Sequence, residues 1–480
     1  MNAVKDRELF EEKRVTSAVF RLAFPTVIGQ IILVIYNMAD SFFIGLTGND
    51  AMLTAVTVCM PAYMFLSAIS NLFGIGGASV IARAMGVRDT ERVRHSSSFS
   101  FWGCMTVTAL YALGAFLLKD PFVDLLGGTN PRVHSNAVEY LTCTVVLGGV
   151  LTSVSILFSH LIRAEGRAVH ASVGIALGGL MNIALDPLFM FVLLPPSREA
   201  MGAAIATAVS NAVSLLYFIL VLWRIKDQSN LRFRFSPEIF RDRIPPAVLA
   251  AGLPACVMTL FENVSYAVLD KLMSFSGLAA QAGIGVAKKV NMLAHCIVRG
   301  ISQGALPLIA YNYSSGNLAR MRSSVRVSHL SSIMIASLCM IVNLAFAHFL
   351  IGLFIHTESD SLQYGIAFLR ILCVGGPFSA SAYTIISFFQ ATGNGGKSFQ
   401  LAMLRKGLID IPLMFALSPL FPVYGIVMAT PLADAFCCIA ANWMFTLFLR
   451  NLLGRGRDLP PADCNRDVSP NCSQDVPVNP

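Results

Sequence analysis

Two acidic residues sit where an apolar chain should exclude them. Asp186 lies in Met181-Asn182-Ile183-Ala184-Leu185-Asp186-Pro187-Leu188-Phe189, inside an apolar run from about residue 168 to 194. Asp40 closes Tyr36-Asn37-Met38-Ala39-Asp40 in a second run, from 22 to 46. A carboxylate held at mid-membrane depth costs at least ~2.5–3.5 kcal/mol on insertion scales, so it is retained for a task. No Lys, Arg or His stands within four residues of Asp186. Asn182 precedes it by one helical turn and shares its face. Pro187 interrupts the hydrogen bonding of that turn and predicts a kink beside the acid. Two carboxylates set in an apolar bundle are suited to hold one proton or one small cation between them. Helix capping or burial inside the bundle is the plainer reading of the same two acids.

The elements that must position them are membrane helices. The 480 residues are 55% hydrophobic and only 13% charged, too apolar for a soluble protein of this size. Twelve apolar runs reach the ~17–25 residues that span a bilayer as helix. They cover about 22–46, 51–81, 96–118, 137–162, 168–194, 200–223, 247–273, 282–310, 327–355, 362–391, 398–420 and 424–449. The predicted fold is an all-α polytopic membrane protein. Residues 1–20 form an amphipathic cytoplasmic lead-in, 21–224 and 247–450 two six-helix lobes, 225–246 a basic inner loop, and 451–480 a disordered cytoplasmic tail.

The net charge of +8 invites a nucleic-acid partner, but its distribution argues against one. With the N-terminus inside, inner segments carry 25 Lys and Arg and outer loops carry only Lys119, Arg132 and Arg198. That asymmetry orients a multi-pass protein with both termini in the cytoplasm. Nine of the eleven cysteines fall within apolar runs and act there as small hydrophobes. Cys464 and Cys472 have no metal-ligand companions. The N-terminus has no cleavable signal pattern.

The halves repeat. Ala23-Phe24-Pro25 aligns with Gly252-Leu253-Pro254, Arg163-Ala164-Glu165-Gly166 with Gln390-Ala391-Thr392-Gly393, and Asp186 with Asp410, each acid closely followed by proline. Gly202 to Thr207 aligns with Gly425 to Thr430. Six helices per copy is an even number, so the copies insert in one orientation. They are then related by a pseudo-two-fold axis along the membrane normal, with a cavity between them. Such a duplicated bundle is an alternating-access design.

With the duplicated six-helix halves, Pro25 early in helix 1, Ser302-Gln303-Gly304…Pro307…Tyr311-Asn312-Tyr313 and the helix-5 Asn-x-x-x-Asp-Pro, the chain resembles the multidrug and toxic compound extrusion (MATE) family over roughly residues 15–452. The resemblance implies H⁺- or Na⁺-coupled antiport of cationic or amphiphilic organic compounds. In the branch with an acidic N-terminal lobe, the ion site uses an Asp on helix 1 and an Asp on helix 5 with Tyr, Asn and Thr neighbours. Here these are Asp40, Asp186, Tyr36, Asn182 and Thr207, and Pro25 is the residue at which helix 1 bends. A second branch uses a Glu on helix 7, matched by Glu262, and an Asp on helix 10, where this chain has Asn394-Gly395 and no acid.

Thr207, Ser210, Asn211 and Ser214 make a polar stripe on helix 6, read as cavity lining or as interhelical packing. Asn37, Glu262, Asn263 and Gln303 complete the candidate cavity residues. Lys406 one turn from Asp410, and Lys271 beside Asp270, favour structural ion pairs in the second half. Lys288, Lys289 and Arg299 add cations there that can hold its acids closed. Gly74-Ile75-Gly76-Gly77-Ala78-Ser79 lies in an apolar helix, which makes it a packing surface. Ala391-Thr392-Gly393-Asn394-Gly395-Gly396-Lys397-Ser398 fits a permissive phosphate-loop pattern, but no strand precedes it.

The reading is a monomeric inner-membrane exporter of small organic cations or amphiphiles. It is not an enzyme and needs no cofactor, and its one expected metal is a Na⁺ at Asp40 and Asp186. A flippase for a lipid-linked precursor is the alternative on the same architecture; it would line its cavity with cations rather than acids. An intramembrane lipid-modifying enzyme would need Asp or His clustered on the loops, and none is there.

Overall fold

Most of the chain is built from long apolar helices, and the computed structural model describes residues 8–195, 198–240, 243–355 and 360–455. The first half holds α1 (Val15–Leu46), α2 (Asp50–Gly86), α3 (Thr90–Leu117), α4 (Pro131–Leu141 through Gly149–Ala164), α5 (Ala168–Pro187) and α6 (Glu199–Arg224). The second half holds α7 (Ile244–Ser274), α8 (Leu278–Ser314), α9 (Leu318–Ala345), α10 (Asp360–Val374 with Gly376–Ala391), α11 (Gly395–Met403 through Ile411–Leu417) and α12 (Tyr424–Arg455). Among the described residues there is no strand.

Nine of these helices are long and apolar enough to cross a membrane, and the bent pairs that form α4 (48°) and α10 (43°) bring the number to 11. Each bend falls at a glycine, Gly148 and Gly375, between the two segments. The twelfth expected span is α11, which has the length but a different character. It carries Lys397, Arg405, Lys406 and Asp410 and passes through a π-helical stretch, Leu404–Asp410.

At the prolines where bends are expected, the helical path continues. α1 runs through Pro25 as one helix. At Pro187 the α-helix gives way to a π-helical stretch, Leu188–Leu193, without leaving the helical path. A wider π-turn is one way to take up the hydrogen bond that proline cannot make.

The halves meet along α2 with α7 and α1 with α8. Glycines make this seam possible. A Cβ on Gly252 would strike the Leu72 carbonyl, one on Gly76 the Val248 carbonyl, and one on Gly304 would lie 2.6 Å from the Ala23 Cα. The small-residue run of α2 therefore packs, as its composition implies. Polar contacts join the halves toward the end that holds the N-terminus. Ser79 Oγ donates to the Gln390 carbonyl (2.5 Å), Ser314 Oγ to the Arg83 carbonyl (2.7 Å), and Asn71 Nδ2 to Thr259 Oγ1 (3.0 Å).

The residues before α1 reinforce this end. A π-turn, Glu8–Glu12, buries Phe10 against Tyr311, with ring centroids 4.9 Å apart. Arg320 Nε donates to the Phe10 carbonyl (2.6 Å), and Tyr311 Oη donates to Glu11 Oε1 (2.6 Å). Residues 456–480, the larger part of the tail expected to be disordered, lie outside the described residues, as do 1–7 of the lead-in.

Candidate functional site

Asp186 is fully buried and Asp40 is 8% exposed, both inside the first half. α5 brings Asn182 and Asp186 to one face, as their four-residue spacing requires. Asn182 Nδ2 donates to Asp186 Oδ1 (3.1 Å) and also to Thr207 Oγ1 on α6 (3.3 Å). Asp40 stands on α1, which packs against α5. Among the described residues, Asp186 Oδ2, Asp40 Oδ1 and Asn182 Oδ1 are buried acceptor oxygens with no hydrogen-bond partner. Buried acceptors without donors are costly. Three of them, from two carboxylates and an amide, form a hard-oxygen set suited to a proton or a small cation.

Next to Asn182 is a small cleft of about 50 Å³, which Tyr36, Asn182, Thr207, Ser210, Asn211 and Ser214 help to line. It lies among α1, α2, α4, α5 and α6, within the first half rather than between the halves. Gly178 and Gly179 on α5 line it too, and a Cβ at Gly179 would crowd Ile32 and Tyr36. Helices α2 and α4 contribute residues that the periodicity did not single out: Tyr63, Thr152 and Ser155. Asn211 Nδ2 donates to Thr152 Oγ1 (3.0 Å), and Ser155 and Ser214 share a hydrogen bond (2.8 Å). Tyr63 lines the cleft together with Tyr36 and Asn211. A lone Tyr on α2 and two hydroxyls among the several on α4 carry little spacing signal, so only the repeat or the fold could have pointed to them.

The remaining candidates are dispersed. Asn37 Nδ2 donates to the Leu33 carbonyl (2.6 Å), Asn263 Nδ2 to the Thr259 carbonyl (2.7 Å), and Ser210 Oγ to the Ala206 carbonyl (2.7 Å). Gln303 on α8 has a buried Oε1 with no partner. Glu262 is ion-paired to Arg299 Nη2 (2.8 Å), which also donates to Tyr383 Oη (3.1 Å). Pro25 stands on α1 some four turns before Asp40.

The second half holds a denser set of charges. Lys406 Nζ lies 2.9 Å from Asp410 Oδ2, and Arg405 Nε lies 2.7 Å from Asp434 Oδ1, all four residues buried. Ser265 Oγ donates to Asp410 Oδ2 (2.6 Å) and Thr430 Oγ1 to Asp410 Oδ1 (3.0 Å). Asp270 pairs with Lys288 on α8 rather than with the adjacent Lys271. The glycine-rich 391–398 segment is a helix-to-helix turn. Gly395 packs on the Ala250 backbone, and Lys397 lies over the Phe448 ring at 4.6 Å.

Twelve helical segments in two repeated halves, with a buried acid hydrogen-bonded to an asparagine that lines a cleft, define a membrane transporter. The MatE family profile matches residues 25–188 and 254–416, one copy in each half, and the chain belongs to that family. It is 28% identical over 445 residues to the multidrug export protein MepA of Staphylococcus saprophyticus, covering 91% of this chain and 95% of that one. It is 26% identical over 442 residues to MepA of Staphylococcus aureus strain MRSA252, with the same two coverages. Among solved structures it is similar to a MATE transporter in complex with MaD3S, with a TM-score of 0.84, 22% identity and coverage of 94% and 99%. It is also similar to a transporter from Pyrococcus furiosus described as having a binding pocket of reverse polarity, with a TM-score of 0.81 and 22% identity over 93% and 98% of the chains.

Proposed function

We propose that this protein exports organic cations and amphiphiles across the inner membrane by alternating access, driven by inward H⁺ or Na⁺. Asp40 and Asp186 are the coupling pair, with Asn182, Tyr36 and Thr207 around them. The observation that carries this reading is the set of three buried, partnerless oxygens on Asp40, Asp186 and Asn182. An acidic site beside a cleft can hold the coupling ion in one state and give it up in another. The similarity to MepA supports multidrug compounds as cargo.

The seam described above closes the end that holds the N-terminus, which the charge distribution places in the cytoplasm. The closed seam corresponds to an outward-facing state. Each inward charge gains about 2.3 kcal/mol per 100 mV, enough for about a forty-fold gradient. Glu262, neutralised by Arg299, serves cargo recognition rather than coupling in this scheme. The protein acts as a monomer, each chain holding its own site.

Ethidium efflux from cells lacking their own exporters tests the proposal, with the H⁺ and Na⁺ gradients collapsed separately. One collapse should stop efflux, and Asp40→Asn and Asp186→Asn should each stop it at unchanged expression. Efflux that survives both collapses would overturn ion coupling.

A further inference from the structure

The two halves carry the same constellation in register. Asp186 and Asp410 are 224 residues apart, and so are Asn182 and Lys406, while Thr207 and Thr430 are 223 apart. In the first half Asn182 joins Asp186 to Thr207. In the second, Lys406 and Thr430 both bond Asp410. The amide of one copy is therefore an ammonium in the other. A further exchange accompanies it. Residue 269, in the register of Asp40 by the Pro25–Pro254 offset, is a buried leucine. The first copy has two carboxylates and no built-in cation; the second has one carboxylate and one cation.

Satisfaction of the oxygens follows the charges. Asp186 Oδ2 and Asp40 Oδ1 have no partner. Both oxygens of Asp410 are occupied, Oδ2 by Lys406 Nζ (2.9 Å) and Ser265 Oγ (2.6 Å), Oδ1 by Thr430 Oγ1 (3.0 Å). The ammonium sits at the distance of a charge-assisted hydrogen bond, where a free cation would otherwise lie.

We infer that Lys406 is a tethered cation filling a second copy of the ion site, so that the exporter runs on one exchangeable site rather than two. The inference rests on the reading of Asp40 and Asp186 as the exchangeable site. A covalently held ammonium cannot leave with the gradient. The second half thus remains neutral and closed through the cycle, and ion exchange is confined to the first. Removing the ammonium leaves Asp410 buried and unpaired, a state that must recruit a replacement cation or proton.

The test counts cations bound by purified protein in detergent, using equilibrium dialysis with radioactive Na⁺ and proton uptake after a pH step. Lys406→Asn reproduces the first-half residue. It should bind one more cation per chain than its parent in whichever assay reports the parent's site. Adding Asp410→Asn should remove that gain, and Lys406→Arg should show none. A folded Lys406→Asn with the parent's count in both assays would overturn the inference. Should that variant not fold, the reciprocal Asn182→Lys decides. A tethered ammonium beside Asp186 should abolish the parent's ion binding, and an unchanged count would overturn the inference. Asp186→Asn in the parent separates the two readings. If it leaves the count unchanged, the first-half site fails, whereas the gain in Lys406→Asn still judges the second.

Discussion

The first and second halves of this protein share their helices and differ in how their polar cores are balanced. Four register-matched pairs show it: Asn182 with Lys406, Met181 with Arg405, Asn211 with Asp434, and Thr152 with Ser379. In the first half Asn211 bonds Thr152 (3.0 Å), a neutral contact. In the second, Arg405 has been inserted between the equivalents, bonding Asp434 (2.7 Å) and Ser379 (2.6 Å) and stacking 4.4 Å over the Tyr383 ring. One lobe leaves an oxygen of Asp40 and of Asp186 unbonded among the described residues, and the other supplies Asp410 and Asp434 with fixed cations. Buried ion pairs add little net stability over apolar packing, but breaking one is expensive. The fold therefore separates a lobe able to exchange charge from a lobe in which charge is locked.

The largest effect should come from breaking the locked side. Asp434→Ala strands the Arg405 guanidinium in the second half and should cost about 3–5 kcal/mol. Its register mate Asn211→Ala loses one neutral hydrogen bond, about 1 kcal/mol. Thermal unfolding in detergent compares them, and equal losses would break the contrast. A smaller effect separates the repeated prolines. Both Pro25 and Pro254 lie inside unbroken helices, but only Pro25 shares its helix with a proposed coupling acid, Asp40. Pro25→Ala should slow efflux several-fold at normal expression, a barrier change of about 1 kcal/mol. Pro254→Ala should leave the initial rate near that of the parent. Slowing in neither variant would show that bending at Pro25 is unnecessary.

Much of this was legible before any coordinates. Helix count and the repeat follow from apolar runs and from Pro, Gly and Asp-Pro landmarks, because a bilayer forces long helices and each copy kept its turns. Asn182 and Asp186 were legible because helical spacing puts them on one face. The Lys406–Asp410 pair was legible for the same reason. Tyr63, Thr152 and Ser155 were not, since Tyr63 stands alone on α2 and Thr152 and Ser155 lie among other Ser residues of α4. The Arg405–Asp434 and Glu262–Arg299 pairs join separate helices, and no spacing within one helix announces them. Asp270 shows the limit of adjacency: neighbouring residues in a helix point apart, so Lys288 on α8 rather than Lys271 pairs with it. Gly178 and Gly179 let α5 pack closely on α1 and α6 beside the cleft, an arrangement that composition alone does not place.

The central claim is that cargo and coupling ion compete through the first-half acids. It is tested most directly by adding ethidium to purified, ion-loaded protein in weakly buffered detergent. A pH indicator follows released H⁺, and a Na⁺ electrode follows released Na⁺. The parent and the Lys406→Asn/Asp410→Asn double variant should release the same ion in the same amount, while Asp40→Asn and Asp186→Asn should release none. Parent-level release from both Asp40→Asn and Asp186→Asn would contradict the account.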